Sequence, residues 1–399
     1  MLAQKTIDEI NRSPHLAVVG FVSCLVEDAF GSHVSDVHLQ PTETQIRIRF
    51  RVDGILQDIA FLPRKFFPEV VSRIKIISNL RTDEHKNPQD GRFRHTVDGS
   101  SFDVRVSCVP THHGESIVLR LLTSTFSLSS LSHLGFLPDD EEKILNCLRK
   151  QSGMILITGP TGSGKTTTLY TLIKLLNKSE SSIVTIEDPV EYSVAGIKQI
   201  QTNARVGLTF ANGLRSILRQ DPDIIMVGEI RDIETAQIAV NTALTGHLLL
   251  STLHTIDSAS AIPRLVDMKV ESFLIASTLR LVIAQRLVRK ICQNCKKLRD
   301  ITFIEKNIFF HTYKHNLQNA WIGQGCEKCK LTGYFGRVVV CEILCINEKI
   351  CDAIVACAGT AKIKNIATES GMTLLIKDGI RKIESGITTI EEVFRCLNE

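Results

Sequence analysis

Apolar and polar positions change period several times along the chain. Leu16, Val19, Val22, Val26 and Ala29 recur at helical spacing, which predicts an amphipathic helix over 16–30. The pattern then shortens to two. Residues 35–39 and 45–52 read as strands, and in the second Ile46, Ile48, Phe50 and Val52 alternate with Arg47, Arg49 and Arg51. One face of that strand belongs to a core, and the other is a basic stripe read as a solvated face. Asp53-Gly54 marks a turn. Val70, Val71, Ile74 and Ile77 restore the helical period over 67–80, and strands follow at 92–97, 102–109 and 117–122. Residues 1–122 therefore form a small α+β domain. The Ser/Thr-rich stretch 123–133 has no apolar period and is expected to be a linker.

From residue 134 strands and helices alternate: strand 154–158, helix 165–177, strand 183–186, helix 209–219, strand 223–227, helix 233–243 and strand 248–252. This order predicts an α/β domain, 134–290, with a mostly parallel sheet covered on both faces. A cysteine-bearing segment, 291–336, follows. The remainder, 337–399, is expected to be helical, with short helices at 350–355, 363–369 and 389–397 broken by Gly371, Gly379 and Gly386.

Candidate chemistry concentrates at the strand 154–158. It runs into Gly159-Pro160-Thr161-Gly162-Ser163-Gly164-Lys165-Thr166, the pattern G-x-x-x-x-G-K-[ST] at a strand-to-helix turn. Gly159, Gly162 and Gly164 let backbone N–H groups turn inward around an anion, and the following helix adds its positive end. Lys165 supplies a point charge for the outer phosphates, and Thr166 a hydroxyl for Mg²⁺. Strand 223–227 ends in Gly228-Glu229, so Glu229 is expected at the γ-phosphate, holding Mg²⁺ or orienting water. Glu187, Asp188 and Glu191 close the neighbouring strand, and one of them is a candidate base. His247 and His254 flank strand 248–252 and are candidate γ-phosphate sensors.

Two C-x-x-C pairs, Cys292/Cys295 and Cys326/Cys329, complete a four-thiolate shell with no open position, which points to structural Zn²⁺. The segment between the pairs is longer than in most zinc ribbons and is expected to form an excursion closed by the metal. The other eight of the twelve cysteines show no such pairing and are expected to be core or surface thiols.

Composition then narrows the class. No apolar run approaches a membrane span, and the acidic residues near Met1 argue against a secretory leader. Twelve cysteines without an export signal fit a reducing, cytoplasmic setting. The formal charge of +4 is small for 399 residues and speaks against nucleic acid as partner.

With these residues in view, the chain resembles the ATPases of type II secretion and type IV pilus assembly. The likeness runs from Ser35 onward through Ser35-Asp-Val-His, Arg49-Phe-Arg-Val-Asp-Gly54, Pro88-Gln-Asp-Gly-Arg92, the glycine loop, Glu187–Glu191, Asp221–Asp232, Thr245–Thr255, Ala284–Arg289, both cysteine pairs and Thr332–Arg337. The resemblance implies a homo-hexameric ring of RecA-like P-loop domains, each preceded by a PAS-like α+β domain, with ATP bound between the two. It makes Glu187–Glu191 an acidic box, Glu229 a variant Walker B and His247–His254 a histidine box. It brings Arg92 and Arg105 to the phosphates from the N-terminal domain. It also implies inner-membrane platform proteins as partners and a peripheral place at that membrane. The cysteine pairs favour the secretion and assembly branch over the retraction branch. Departures are the short stretch before Ser35, which leaves out an N-terminal docking domain, Ile256 in place of Asn, and Cys341 where Tyr is frequent.

Three function classes follow: an ATP-driven motor for secretion or pilus assembly, a RecA-like nucleic-acid motor or DNA-uptake device, and a nucleotide-gated scaffold without turnover. Intact glycine and acidic motifs favour the first.

Overall fold

The alternation in 45–52 becomes a strand in which Ile46, Ile48 and Phe50 are fully buried, Val52 is half-buried, and the arginines face outward. That strand is part of the first of two units in a computed structural model, which describes residues 2–11, 16–122 and 130–397. The units are Met1–Phe126 and Ser127–Glu399.

In the first unit α1 (Gln4–Asn11) and α2 (Val18–Gly31) lead into β1 (Val34–Pro41), β2 (Gln45–Val52) and β3 (Ile55–Pro63). Then come α3 (Phe67–Ile77), β4 (Gln89–Val97), β5 (Ser100–Thr111) and β6 (Gly114–Leu122). The strands form one antiparallel sheet in the order β3-β2-β1-β6-β5-β4. Its core joins Ile46, Ile48, Phe50, Val104 and Leu119 to Phe21, Leu25, Val70 and Ile74 of α2 and α3. Val19, expected on the buried stripe of α2, is 56% exposed, and Phe21 and Leu25 take the inward positions. The helix therefore turns a slightly different face inward than spacing from Leu16 implies. The basic stripe is a paired face rather than a merely solvated one. Arg47 meets Asp58 at 2.7 Å, Arg49 donates to Gln40, and Arg51 lies 3.6 Å from the buried Asp36.

The second unit opens with α4 (Leu131–Leu134) and α5 (Pro138–Leu148), then β7 (Gly153–Thr158), α6 (Lys165–Leu176), β8 (Ile183–Glu187) and β9 (Lys198–Gln201). It continues with α7 (Phe210–Ile217), β10 (Ile224–Val227), α8 (Ile233–Leu244), β11 (Leu248–Leu253), α9 (Ala261–Asp267), α10 (Ser272–Thr278) and β12 (Leu279–Ile291). The expected linker 123–133 needs a correction at its end, because 131–133 lie in α4. Its residues 123–129 fall outside the described residues.

Next are β13 (Lys296–Asp300), α11 (Phe303–Tyr313), β14 (Asn319–Gly323), β15 (Tyr334–Cys345), α12 (Glu348–Val355), α13 (Thr360–Glu369), α14 (Leu375–Glu384) and α15 (Ile390–Leu397). The main sheet runs β15-β12-β7-β11-β10-β8-β9. It is parallel from β12 to β9, and β15 is antiparallel to β12. Successive residues of β7 go to opposite faces. Met154 and Leu156 join one core, and Ile155 and Ile157 the other. A strand buried on both sides reads as a continuous apolar run, which is why its position was visible in the sequence.

The expected all-helical segment 337–399 is corrected. Residues 337–345 belong to β15, whose Val338–Leu344 stretch is buried against the sheet. Tyr334-Phe-Gly-Arg carries too little apolar pattern to signal the strand's start. Gly379 does not break a helix either, since it lies inside α14. A side chain at that position would meet Val393 at 2.7 Å, so the glycine allows α14 and α15 to approach closely.

Candidate active site

The C-terminal ends of β7, β11, β10 and β8 share one edge of the parallel sheet. Thr158 is aligned with Leu253, and Val227 with both Ser251 and Ile186. The residues just past those ends are Gly159, His254, Gly228-Glu229 and Asp188, so four motifs distant in sequence meet along this edge.

The glycine loop turns because its backbone must. Gly159 has φ 149°, and a Cβ there would lie 2.5 Å from the Gln285 carbonyl oxygen. Gly164 has φ 86° and begins α6. Gln285, fully buried on β12, donates from Nε2 to the Ser163 carbonyl at 2.8 Å. Its Oε1 accepts from Thr168 Oγ1 at 3.0 Å, so one side chain fixes both the loop and the helix after it.

Lys165 is 9% exposed, and its Nζ donates to the carbonyls of Gly159 and Pro160 at 2.8 and 3.0 Å. Burial lowers its pKa to about 8, with Glu229 opposing and Arg286 adding to the shift. The Ser163 hydroxyl is buried without a hydrogen-bond partner among the described residues, while Thr166 is exposed at the helix start. A buried cation hydrogen-bonded to two main-chain carbonyls, beside an unmet hydroxyl, fits a polyphosphate.

Glu229 is 14% exposed and gripped from two sides. Arg231 Nη2 lies 2.5 Å from Oε1, and His254 Nε2 lies 3.3 Å from Oε2. Asp188, exposed at the end of β8, also acts on Arg231 through charge. Arg231 is thus a functional candidate inside the Asp221–Asp232 motif that the sequence alone left without a role. A basic residue two positions after a candidate carboxylate was the available signal.

Glu187 reaches the same edge but points into the protein. It is 3% exposed, accepts from Tyr170 Oη at 2.5 Å and from Thr185 Oγ1 at 2.6 Å, and lies 3.3 Å from Gln199 Nε2. With both oxygens engaged, it anchors the turn that carries Asp188 and does not present a free carboxylate. Glu191 lies half-buried farther along that turn.

His247 is a correction. It precedes β11, and its carbonyl accepts from Gly153 N at the start of β7. The six-residue strand separates it from the glycine-loop edge by about 20 Å, at the usual rise per strand residue. Its ring contacts the Thr242 carbonyl at 3.1 Å instead. The sequence places the two histidines symmetrically about a strand, but the ends of a parallel strand belong to opposite edges of the sheet.

The segment after His254 is latched to its surroundings. Thr255 N donates to Thr158 Oγ1 at 3.0 Å, and Arg286 Nη2 donates to the Ile256 carbonyl at 2.9 Å. Ser258 Oγ donates to the buried Glu342 at 2.5 Å, and Lys364 pairs with Asp257 at 3.1 Å. The hold on residue 256 is through the main chain, so the isoleucine side chain is free to be 78% exposed.

Arg92 and Arg105 face each other as register partners on β4 and β5 of the first unit. Directly opposed residues share one face of a sheet, so the two guanidinium groups form one basic spot.

The four cysteines sit where β12 leaves the sheet and β15 enters it. Their sulfurs all lie within 4.8 Å of one another, with Cys292–Cys326, Cys295–Cys329 and Cys326–Cys329 at 3.7, 3.8 and 3.7 Å. Tetrahedral thiolate ligation at the usual Zn–S length requires about 3.8 Å between sulfurs. Burial raises the Cys329 pKa, but N–H donation from Cys326 and Gly333, with the neighbouring Cys326 and Cys295 thiols, outweighs it and lowers the thiol below its ordinary value. The donor set fits a metal such as Zn²⁺.

A family model described as type II/IV secretion system protein matches residues 13–395. The type II secretion system protein HxcR of Pseudomonas aeruginosa is 46% identical over 96% of this chain and 78% of its own length. The type IV pilus assembly ATPase PilB of Thermus thermophilus is 43% identical over 98% of this chain and 44% of its own length. Among solved structures, the ATPase DotB of Legionella pneumophila superposes with a TM-score of 0.70 at 26% identity, covering 96% of both chains. The pilus retraction motor PilT with bound ADP gives 0.63 at 25% identity, over 94% of this chain and 96% of that one.

Proposed function

The chain belongs to the type II/IV secretion system protein family and is an ATPase, and from that premise we propose that it is a motor whose ATP cleavage drives pseudopilus or pilus assembly and protein export. The observation that carries the reading is the Glu229 carboxylate, held between Arg231 and His254 on the sheet edge that also carries the glycine loop.

In this reading the loop's N–H groups and Lys165 bind the outer phosphates, and Thr166, with Glu229 acting through a water, would hold Mg²⁺. When bound, the cation neutralises charge that builds on the phosphoryl oxygens. Glu229 orients the attacking water and takes up its proton. His254 senses the phosphate through its contact with Glu229. Arg92 and Arg105 reach the phosphates from the N-terminal unit, so cleavage alters how the two units engage. Zn²⁺ on the four cysteines closes the 296–325 excursion. The chain assembles as a homo-hexamer, which works in the cytoplasm against inner-membrane platform proteins. A nucleic-acid motor finds less support, because the outward arginines of β2 are taken up by Asp58, Gln40 and Asp36.

The test is steady-state phosphate release with Glu229→Gln, beside nucleotide binding at equilibrium. Binding is expected to stay within about threefold, while turnover falls on the order of a hundredfold or more. Wild-type turnover in that variant would remove Glu229 from the mechanism.

A further inference from the structure

The N-terminal unit contains a cavity of about 710 Å³, most of whose lining the ATPase reading leaves unused. It lies beside β4, the outermost strand of the six-stranded sheet, under α2 and α3. Its wall has two characters. Val26 and Phe93 supply an apolar side, while Arg73, Arg92, Arg94 and His95 supply a cationic one.

The charge on that wall is not balanced locally. Asp103 is its one carboxylate, and Arg94 already claims it, with Nε to Oδ1 at 2.9 Å. Neither Arg73 nor Arg92 has a carboxylate partner among the described residues. Two polar atoms are also orphaned. Arg73 Nε and His95 Nε2 are buried and make no hydrogen bond among the described residues. The His95 ring is set edge-on to Phe102, with ring centres 5.9 Å apart. Buried polar groups are nearly always satisfied, and leaving one unmet is costly. Two such groups on one cavity wall, next to uncompensated guanidinium charge, call for an anion. The volume falls within the range of small-molecule sites.

We propose that this cavity binds a phosphate-bearing small molecule of nucleotide size. The phosphate faces Arg73 and His95, where the planar guanidinium group matches phosphate oxygens. The uncharged body lies along Phe93 and Val26. The lining belongs to the N-terminal unit, and Arg73 and His95 have no part in the ATPase reading, so the proposal can fail without that reading failing. Arg92 also has a proposed part in ATP cleavage, so the test rests on Arg73 and His95 instead.

The experiment uses the full chain carrying Lys165→Ala, which suppresses binding at the glycine loop, with AMP and inorganic pyrophosphate as probes. Calorimetry is expected to show one remaining class of site for at least one probe. Adding Arg73→Gln should weaken it by about tenfold or more, as loss of a charged hydrogen bond implies, and His95→Phe should weaken it too. In the otherwise wild-type chain, Arg73→Gln should leave kcat and KM for ATP within about twofold. Hydrogen exchange on the Lys165→Ala chain, which needs no change at the cavity, should show probe-dependent protection at 73–79 and 92–95. Absence of binding to both probes, binding indifferent to Arg73→Gln and His95→Phe, or protection confined to 159–166 would each overturn the proposal.

Discussion

Single residues of one chemical type divide here by surroundings. Glu229 and Glu187 end neighbouring strands, yet one carboxylate lies between a cation and a histidine, and the other is buried under Tyr170 and Thr185. Glu187→Gln is therefore expected to lose much less turnover than Glu229→Gln when kcat is compared. Tyr170→Phe removes a donor from a buried carboxylate and should cost about 1–3 kcal/mol in urea unfolding. Equal kcat losses in the two glutamine variants would contradict this division. Lys165 makes a pH-dependent prediction. Its pKa is lowered from 10.5 to about 8 in the folded chain, so the unfolded chain binds the extra proton between those values. Stability without nucleotide should therefore rise from pH 8 toward 10.5. Lys165→Met should raise the unfolding free energy at pH 7 by about 1–3 kcal/mol, with the gain shrinking over that window. A gain independent of pH would refute the account.

At the level of elements, the C-terminal helices are tied to the sheet by buried charge. Glu392 of α15 accepts from Arg289 N at 3.0 Å and from its Nη2 at 2.7 Å, and it pairs with Arg395 at 2.9 Å. Burial would raise its pKa, but the Arg395 and Arg289 hydrogen bonds dominate and hold it at about 2. A depressed carboxylate contributes stability that is present above its unfolded value near 4.5 and is lost as pH falls toward 2. Glu392→Gln should thus cost about 3 kcal/mol at pH 7, with the difference from wild type fading below pH 4.5. Unfolding curves of the pair at pH 7 and pH 3 check it. In α14, Asp378 accepts from the Cys341 main-chain N–H at 2.8 Å and meets Lys382 at 2.5 Å. The backbone contact uses no feature of a tyrosine, which is how cysteine is accommodated at 341.

For the whole molecule, the two units carry different halves of the proposed chemistry. The glycine loop, Glu229 and His254 belong to the second unit, and the Arg92–Arg105 pair to the first. Arg105→Ala is expected to preserve nucleotide binding by the glycine loop and to lower kcat by about 10³-fold, the scale of an arginine that stabilises phosphoryl charge. Parallel binding and turnover assays test this, and undiminished kcat would leave the first unit without a part in cleavage.

Much of this was legible in the linear chain because the physics involved is local. An apolar run, a glycine turn and a hydroxyl at a helix start specify a phosphate loop within thirteen residues. Two C-x-x-C turns likewise specify four sulfurs, wherever the chain between them goes. What needed the fold was anything set by direction or by pairing across distance. Only the parallel order of β7, β11, β10 and β8 puts His254 beside Glu229 and sends His247 to the far edge, because strand polarity decides which end of a strand faces a site. Only tertiary contact reveals that Glu187 is spoken for by Tyr170, or that Gln285 fixes the loop from 122 positions away. β15 is a different case, because its run Val338-Val339-Val340-Cys341 is a strand signal in the sequence itself, and the helical expectation for 337–399 passed over it.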